Sequence, residues 1–248
     1  MIVHTSAIVF RSVDFQESSK IVTLFTEEHG KIAVLVRGAK KPKNKFSGLI
    51  DPGNILDVVY YHKDSRSVQI LSEASYLDKT LNLRTEFEKM AIATSAIELI
   101  NQLLHDNEVN RPLFTFTRDF LVWLDRAEPP LQAIFPYLQI RLADLMGLGL
   151  GLQRNISTDA RSYYLNVETG MIADDSETSH SYKLTQNQYN YVNLALQSRS
   201  AKLLNIALTR DELRQLVNYL DRYLKYHVEG LKDRKSDAIF EQLLQDPL

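Results

Sequence analysis

The stretch Lys20-Ile21-Val22-Thr23-Leu24-Phe25-Thr26-Glu27-Glu28-His29-Gly30-Lys31-Ile32-Ala33-Val34-Leu35-Val36 reads as two β-strands joined by a tight turn. β-Branched and aromatic residues fill 20–25 and 31–36, and His29-Gly30 between them is a turn signal. Working outward, residues 3–10 repeat the same composition ahead of it. Residues 55–61 and 68–71 repeat it behind, separated by the polar turn Lys63-Asp64-Ser65-Arg66. Five short strands with turns between them and no helical pattern predict a small closed barrel. The OB-fold is the commonest five-stranded barrel that takes oligonucleotides. Strand count alone leaves an SH3-like barrel open.

Between the third and fourth of these strands the chain turns basic. From Glu28 to Asp51 there are six Lys/Arg and no acid, and five of the six lie in Arg37-Gly38-Ala39-Lys40-Lys41-Pro42-Lys43-Asn44-Lys45. Gly38, Pro42, Asn44 and Gly48 punctuate the run, so it reads as a loop. A mobile basic loop leaving a strand suits a phosphate backbone held without regard to sequence. A solvated charged turn is the plainer reading. Phe46 and the strand context favour nucleic acid. Arg11, Lys20, Lys31, Arg37 and Arg66 fall at or near strand ends, where a barrel could align them with Lys40, Lys41, Lys43 and Lys45. Phe46 and one of Tyr60 or Tyr61 are the best exposed stacking candidates among the aromatics of this region, which also include Phe10, Phe15 and Phe25.

Composition bounds what else is possible. The chain has 248 residues, 44% hydrophobic and 24% charged, with a formal net charge of −2, values ordinary for a globular protein with room for two domains. The charge is divided: residues 1–80 carry 11 basic and 9 acidic side chains, and the remainder 18 and 22. A faintly basic first part and an acidic second part suggest different partners. The absence of cysteine removes disulfides, thiolate catalysis and Cys-containing zinc sites, and suits a reducing cytoplasm. The N-terminus lacks the features of a signal peptide, and no 18-residue apolar run exists to span a bilayer. These features predict a soluble, intracellular protein.

From about residue 81 the period becomes helical. Phe87, Met90, Thr94, Ile97, Ile100 and Leu104 predict one apolar face. Asn110-Arg111-Pro112 opens a second helix through Leu113, Phe116, Phe120 and Leu124. After Pro129-Pro130 a third runs to about Met146, and the glycines at 147, 149 and 151 follow it as a C-terminal cap. A dinucleotide fingerprint would instead follow a strand. Residues 152–184 lose the helical period, and 163–167 with 170–173 suggest a small hairpin. Thr185-x-x-Gln188 and Thr209-x-x-Glu212 fit capping boxes and place helices near 186–197 and 210–228.

Catalytic chemistry finds no support. Six histidines are scattered without metal spacing, and no nucleophile elbow or phosphate-binding P-loop occurs. Asp174, Asp175 and Glu177 read as a solvated loop, His227 as a packing or capping residue, and Tyr219, Tyr223 and Tyr226 as a core stripe. Lys232, Arg234 and Lys235 form a second basic cluster, which could extend the nucleic-acid footprint or solvate a helix end. The chain is therefore expected not to be an enzyme.

The segment Asp14-Phe15-Gln16-Glu17-Ser18-Ser19-Lys20-Ile21-Val22-Thr23-Leu24-Phe25-Thr26-Glu27-Glu28-His29-Gly30-Lys31, with Val36-Arg37-Gly38-Ala39-Lys40-Lys41-Pro42-Lys43-Asn44-Lys45-Phe46, resembles the N-terminal signature of the RecO family of bacterial recombination mediators. His227-Val228-Glu229-Gly230 followed by Lys235-Ser236 resembles that family's ending. The resemblance implies an α+β protein: an N-terminal OB-fold domain over residues 1–80 and a helical domain over 81–248. An irregular insertion at about 152–184 would replace the family's zinc-binding segment. It implies binding of single- and double-stranded DNA, annealing of complementary strands without ATP, and help in loading RecA at gaps. The implied partners are RecR and the acidic C-terminal tail of the single-stranded-DNA-binding protein, in a cytoplasmic, nucleoid-associated setting. Arg118 and Arg141 are the candidates for holding that tail. Many relatives bind zinc through four cysteines in the insertion. This chain has none, so no structural metal or other cofactor is expected. Ile50-Asp51-Pro52-Gly53 lacks the aromatic usual in the family at that place. Competing readings are an OB-fold RNA-binding protein and a protein adaptor.

Overall fold

The computed structural model describes residues 1–153, 162–174, 180–197 and 205–245. The first strands are β1 (Ile2–Phe15), β2 (Ser19–Thr26), β3 (Gly30–Val36), β4 (Ile55–Tyr61) and β5 (Val68–Asp78). They close a barrel in the order β1-β2-β3-β5-β4, with β3 parallel to β5 and the other neighbours antiparallel. This is the OB type of barrel and decides against the SH3-like alternative. β1 and β5 are longer than the β-rich runs suggest, because polar residues such as Arg11, Glu73 and Ser75 continue the ladder on the solvated face.

Alternation builds the interior. Val3, Ala7, Val9, Val22, Leu24, Val34, Leu56 and Val58 point inward in one buried cluster. Their neighbours should face water, as on any one-sided sheet. Yet Ile8, Phe25 and Ile55 are also fully buried. On this flank the barrel is covered by α1 (Asn82–Thr85), α2 (Phe87–Leu103) and α3 (Arg111–Arg126). Phe10 lies at a register shift in β1 and packs on Phe25, whose ring meets Phe114 of α3 edge-on with centroids 5.4 Å apart.

The three helices and the barrel form one compact unit, Met1–Ala127 together with Arg234–Ser236. α2 is buried around most of its circumference, between β1, α1 and α3. Its apolar face is therefore wider than a single stripe, and two residues assigned to that stripe, Phe87 and Thr94, are exposed. Asp125 of α3 caps α1, its Oδ1 accepting from the amides of Asn82 at 2.7 Å and Leu83 at 3.2 Å. Asn110 caps α3 by accepting from the Leu113 amide, with Pro112 in the first turn as expected. Glu98 of α2 accepts from the amides of Lys235 and Ser236 and from the Ser236 hydroxyl, anchoring that segment.

The second unit comprises Glu128–Asp233 and the chain after Ser236. It contains α4 (Ile134–Leu145), β6 (Gly151–Leu152), β7 (Tyr163–Asn166), β8 (Met171–Ala173), β9 (Ser181–Leu184), α5 (Gln186–Gln197), α6 (Arg210–His227) and α7 (Asp237–Gln245). The expected hairpin is β7–β8, and β6 and β9 extend it to a four-stranded sheet of order β6-β8-β7-β9. Both capping boxes form, with reciprocal bonds at Thr185/Gln188 and at Thr209/Glu212. Leu213, Leu216, Leu220 and Leu224 of α6 are buried as their spacing predicts. α7 had no helical reading in the sequence. Asp175 and Glu177 lie outside the described residues. Among the described residues no helix is long and apolar enough to cross a membrane.

Candidate nucleic-acid interface

The basic run follows β3 directly and returns to the barrel at β4. It is a folded cap rather than the open, mobile excursion expected from its glycines and proline. Asn44 donates to the carbonyls of Ala39 and Lys41 at 2.8 and 3.0 Å and accepts from the Phe46 amide at 2.9 Å. Fully buried Asn54 closes the far end, donating to Gly48 and Leu49 at 2.7 and 2.8 Å. Ala39, Phe46, Leu49 and Ile50 turn into the barrel core. Phe46 is only 4% exposed, so it cannot serve as a stacking platform and is withdrawn from that role. Its ring instead fixes the loop to the barrel, and Lys45 lies over it at 5.0 Å. Tyr60 is likewise buried, and its hydroxyl is pushed up to about 12 by that burial and by nearby Glu28. Tyr61, 47% exposed, is the accessible member of the pair.

With the apolar residues turned inward, the cations point out. Arg37, Lys40, Lys41, Lys43 and Lys45 are exposed. Lys45 donates to the Ser72 carbonyl at 2.6 Å, and Lys40 to that of Gln16 at 3.4 Å. Lys40 and Lys20 converge on Asp14 at 3.1 and 3.6 Å, which brings Lys20 of β2 beside the loop. The Lys40 hydrogen bond and charge hold the Asp14 carboxyl below its ordinary range. Asp14 thus subtracts from this patch at its edge. Asp14→Asn should raise single-strand affinity about fivefold near 0.1 M salt and steepen the salt slope by about 0.7, as one regained phosphate contact would. Fluorescence anisotropy measures both; unchanged or weaker binding would show that Asp14 does not oppose the ligand.

Arg37 and Arg66 also come together, lining a cleft of about 340 Å³ with Phe15. Two other candidates lie elsewhere. Arg11 lines a different cleft, beside Arg84, Glu98 and Lys235. Lys31 is engaged at the C-terminal end of α2. Its side chain is 15% exposed, and its ammonium donates to the carbonyls of Asn101 and Leu104 at 3.1 and 2.6 Å, with Asp106 at 3.3 Å. A cation on the last carbonyls of α2 complements the helix dipole, which explains its place. Arg118 is engaged by Asp119 at 2.9 Å and Arg141 by Asp144 at 2.8 Å, and they belong to different units. The tyrosine stripe divides: Tyr223 is buried, Tyr219 stacks on Tyr182, and Tyr226 is exposed. His227 meets the Val167 carbonyl at 2.9 Å, the packing role read from its position.

A closed OB barrel with a basic cap between its third and fourth strands, followed by helices and a small second sheet, defines the class: an OB-barrel protein with a helical C-terminal part. The chain belongs to the RecO family. Residues 1–79 match the family described as Recombination protein O N terminal, and residues 84–237 match Recombination protein O C terminal. A protein of Salinibacter ruber named DNA repair protein RecO is 36% identical over 62% of this chain and 59% of its own length. Proteins of the same name from Chlorobium limicola and Chloroherpeton thalassium are 27% and 28% identical, each over 98% of this chain and 99% and 100% of their own.

Proposed function

We propose that this chain is a non-catalytic mediator of recombinational DNA repair. It binds single- and double-stranded DNA through the basic cap, anneals complementary strands without ATP, and, with RecR, helps RecA load onto DNA coated by the single-stranded-DNA-binding protein. The observation that carries the reading is the cap itself: a run of exposed cations on a rigid, hydrogen-bonded frame, in a chain of the RecO family. Phosphate contacts of this kind hold a strand without reading it and leave the bases to pair. Two strands held near one another at lowered charge can then anneal. No metal or cofactor takes part in this reading. The acidic tail of the single-stranded-DNA-binding protein would be held outside the barrel, with Arg118 and Arg141 as candidates once released from Asp119 and Asp144.

The test is annealing of complementary oligonucleotides coated with the single-stranded-DNA-binding protein, without ATP. The protein should accelerate duplex formation, and single-strand affinity should fall with salt at a log–log slope of roughly −3.5 if five contacts form. No acceleration together with a flat salt dependence would remove the mediator reading. Stronger binding to RNA than to DNA of equal length would move it to the RNA-binding alternative.

A further inference from the structure

Where β1 meets the helices of its own unit, a cleft of about 430 Å³ opens between Phe10, Leu83 of α1 and Ile97 of α2. Its floor is apolar, and the chain leaves it open at Gly53. A Cβ there would stand over the floor, 3.6 Å from Leu83 Cδ1 and 3.8 Å from Ile97 Cδ1. The rim is cationic and comes from three separate segments: Arg11 of β1, Arg84 in the last turn of α1, and Lys235. Arg11 and Lys235 are exposed, and their charged groups make no ion pair or hydrogen bond among the described residues. Arg84 Nη1 is buried and makes no hydrogen bond, with Asp51 Oδ2 at 3.7 Å. A buried donor without an acceptor is costly, so this nitrogen calls for an anion from outside. Glu98 also borders the cleft, but both of its oxygens are taken by donors of Lys235 and Ser236. An open apolar cleft rimmed by unpaired cations marks a site for an anion with an apolar body.

Two observations decide what that anion is. Cations on three separate segments ask for negative charge at repeated spacing, which a phosphate backbone supplies at every residue and a single carboxylate does not. The cleft is also joined to the basic cap through the chain. Ile50 turns into the barrel core, and Pro52 and Gly53, at the end of the same connection, wall the cleft. The segment that presents lysines at one end therefore shapes this site at the other. The two sites are nevertheless distinct, since the cleft shares no residue with the Lys20–Asp14–Lys40 cluster. Resting on the DNA-binding reading above, we infer that this cleft is a second-strand site. Arg11, Arg84 and Lys235 hold the phosphates of one single strand, with a sugar or base over Leu83 and Ile97, while the cap holds another. Neither site reads sequence. Tying both strands to one barrel raises the effective concentration of each near the other, which speeds pairing without an energy source.

The test uses the full-length protein and short oligo-dT, which cannot pair with itself. The wild-type protein should take up two strands per chain, the second more weakly. A strand bearing 5-iodouracil, irradiated on the wild type, should cross-link at two places, one near the cap and one in the cleft at Met90 or Phe10. Arg11→Gln together with Lys235→Gln removes two charges and keeps the stems. It should lower the weaker affinity about 25-fold near 0.1 M salt, the loss of two single-strand phosphate contacts, and slow the annealing of complementary strands. An unchanged thermal midpoint would show that the fold is intact. One strand per chain in the wild type, with cross-links only near the cap and annealing unchanged in the double variant, overturns the inference and leaves the cap as the DNA site. Failure of the wild type to bind any strand overturns the underlying reading as well. Hydrogen exchange over residues 82–98 separates other occupants. Protection by an acidic peptide but not by oligo-dT makes the cleft a protein site, and protection by dTMP equal to that by oligo-dT makes it a free-nucleotide site; either result overturns the inference.

Discussion

Replacing Lys40, Lys41, Lys43 and Lys45 together by Ala is expected to weaken single-strand binding several hundred-fold near 0.1 M salt while the protein stays folded. The magnitude comes from counterion release. Each phosphate contact with a single strand contributes about 0.7 to the log–log salt slope, so losing four of five takes the slope from roughly −3.5 to roughly −0.7. Relative to a reference near 1 M, where this contribution vanishes, the deficit at 0.1 M is about 2.8 in log K, on the order of 600-fold. The four residues should not contribute equally. Lys41 and Lys43 are exposed and make no ion pair among the described residues. Lys45 is tied to the Ser72 carbonyl and Lys40 to Asp14, so each must trade a partner for a phosphate. The pair Lys41→Ala, Lys43→Ala should account for more of the loss than the pair at 40 and 45. Stability is little affected, because the cap is held by Asn44, Asn54 and Phe46 rather than by its lysines. An anisotropy titration showing unchanged affinity and slope would exclude the cap as the DNA site.

The same residues show where sequence reading succeeds and where it stops. Strands are local: a β-branched run bounded by turn residues declares itself, and Ile55–Tyr61 matches the observed β4 at both ends. Charge is also local, so the exposed lysines were legible. Burial within the loop was not, because an aromatic beside a basic run can face either way. One signal was present, however. Phe46, Leu49 and Ile50 recur at the three- and four-residue spacing that puts side chains on one side of a turn, which marks an inward face. Lys31 was unreadable for a different reason. Its partners are the carbonyls of Asn101 and Leu104, 70 and 73 residues away in sequence. Only the docking of α2 against the barrel turns a strand lysine into a helix cap.

Gly30→Ala is expected to lower stability by about 4 kcal/mol, and the thermal midpoint by about 10 °C for a chain of this size. His29-Gly30 reads in the sequence as a turn, and a turn alone would make the substitution mild. Gly30 has φ +65, which costs an L-residue roughly 1–2 kcal/mol. The larger part comes from a neighbour 78 positions along the chain. A Cβ at Gly30 would lie 2.0 Å from the Glu108 carbonyl oxygen and 2.8 Å from the Glu108 nitrogen. Both are backbone atoms and cannot rotate away, so the segment between α2 and α3 must lift off the β2–β3 turn. That movement strains the Asn107 amide bond to the Lys31 carbonyl, 2.9 Å long, and the Lys31 cap on α2 beside it. Overpacking of this kind costs about 1–3 kcal/mol, and a lost hydrogen bond about 1 more. Gly38→Ala supplies the comparison. Its φ is +68, nearly the same, but the nearest atom to a Cβ there is the flexible Lys41 Cδ at 3.8 Å. Only the backbone term applies, and the loss should stay near 1 kcal/mol. Urea unfolding of the two variants separates the contributions. Equal losses would mean that the contact with Glu108 carries no energy and that the α2–α3 connection does not brace the barrel. A Gly30→Ala loss several times that of Gly38→Ala would show that it does, and that the turn glycine serves the packing of a helix connection more than the turn itself.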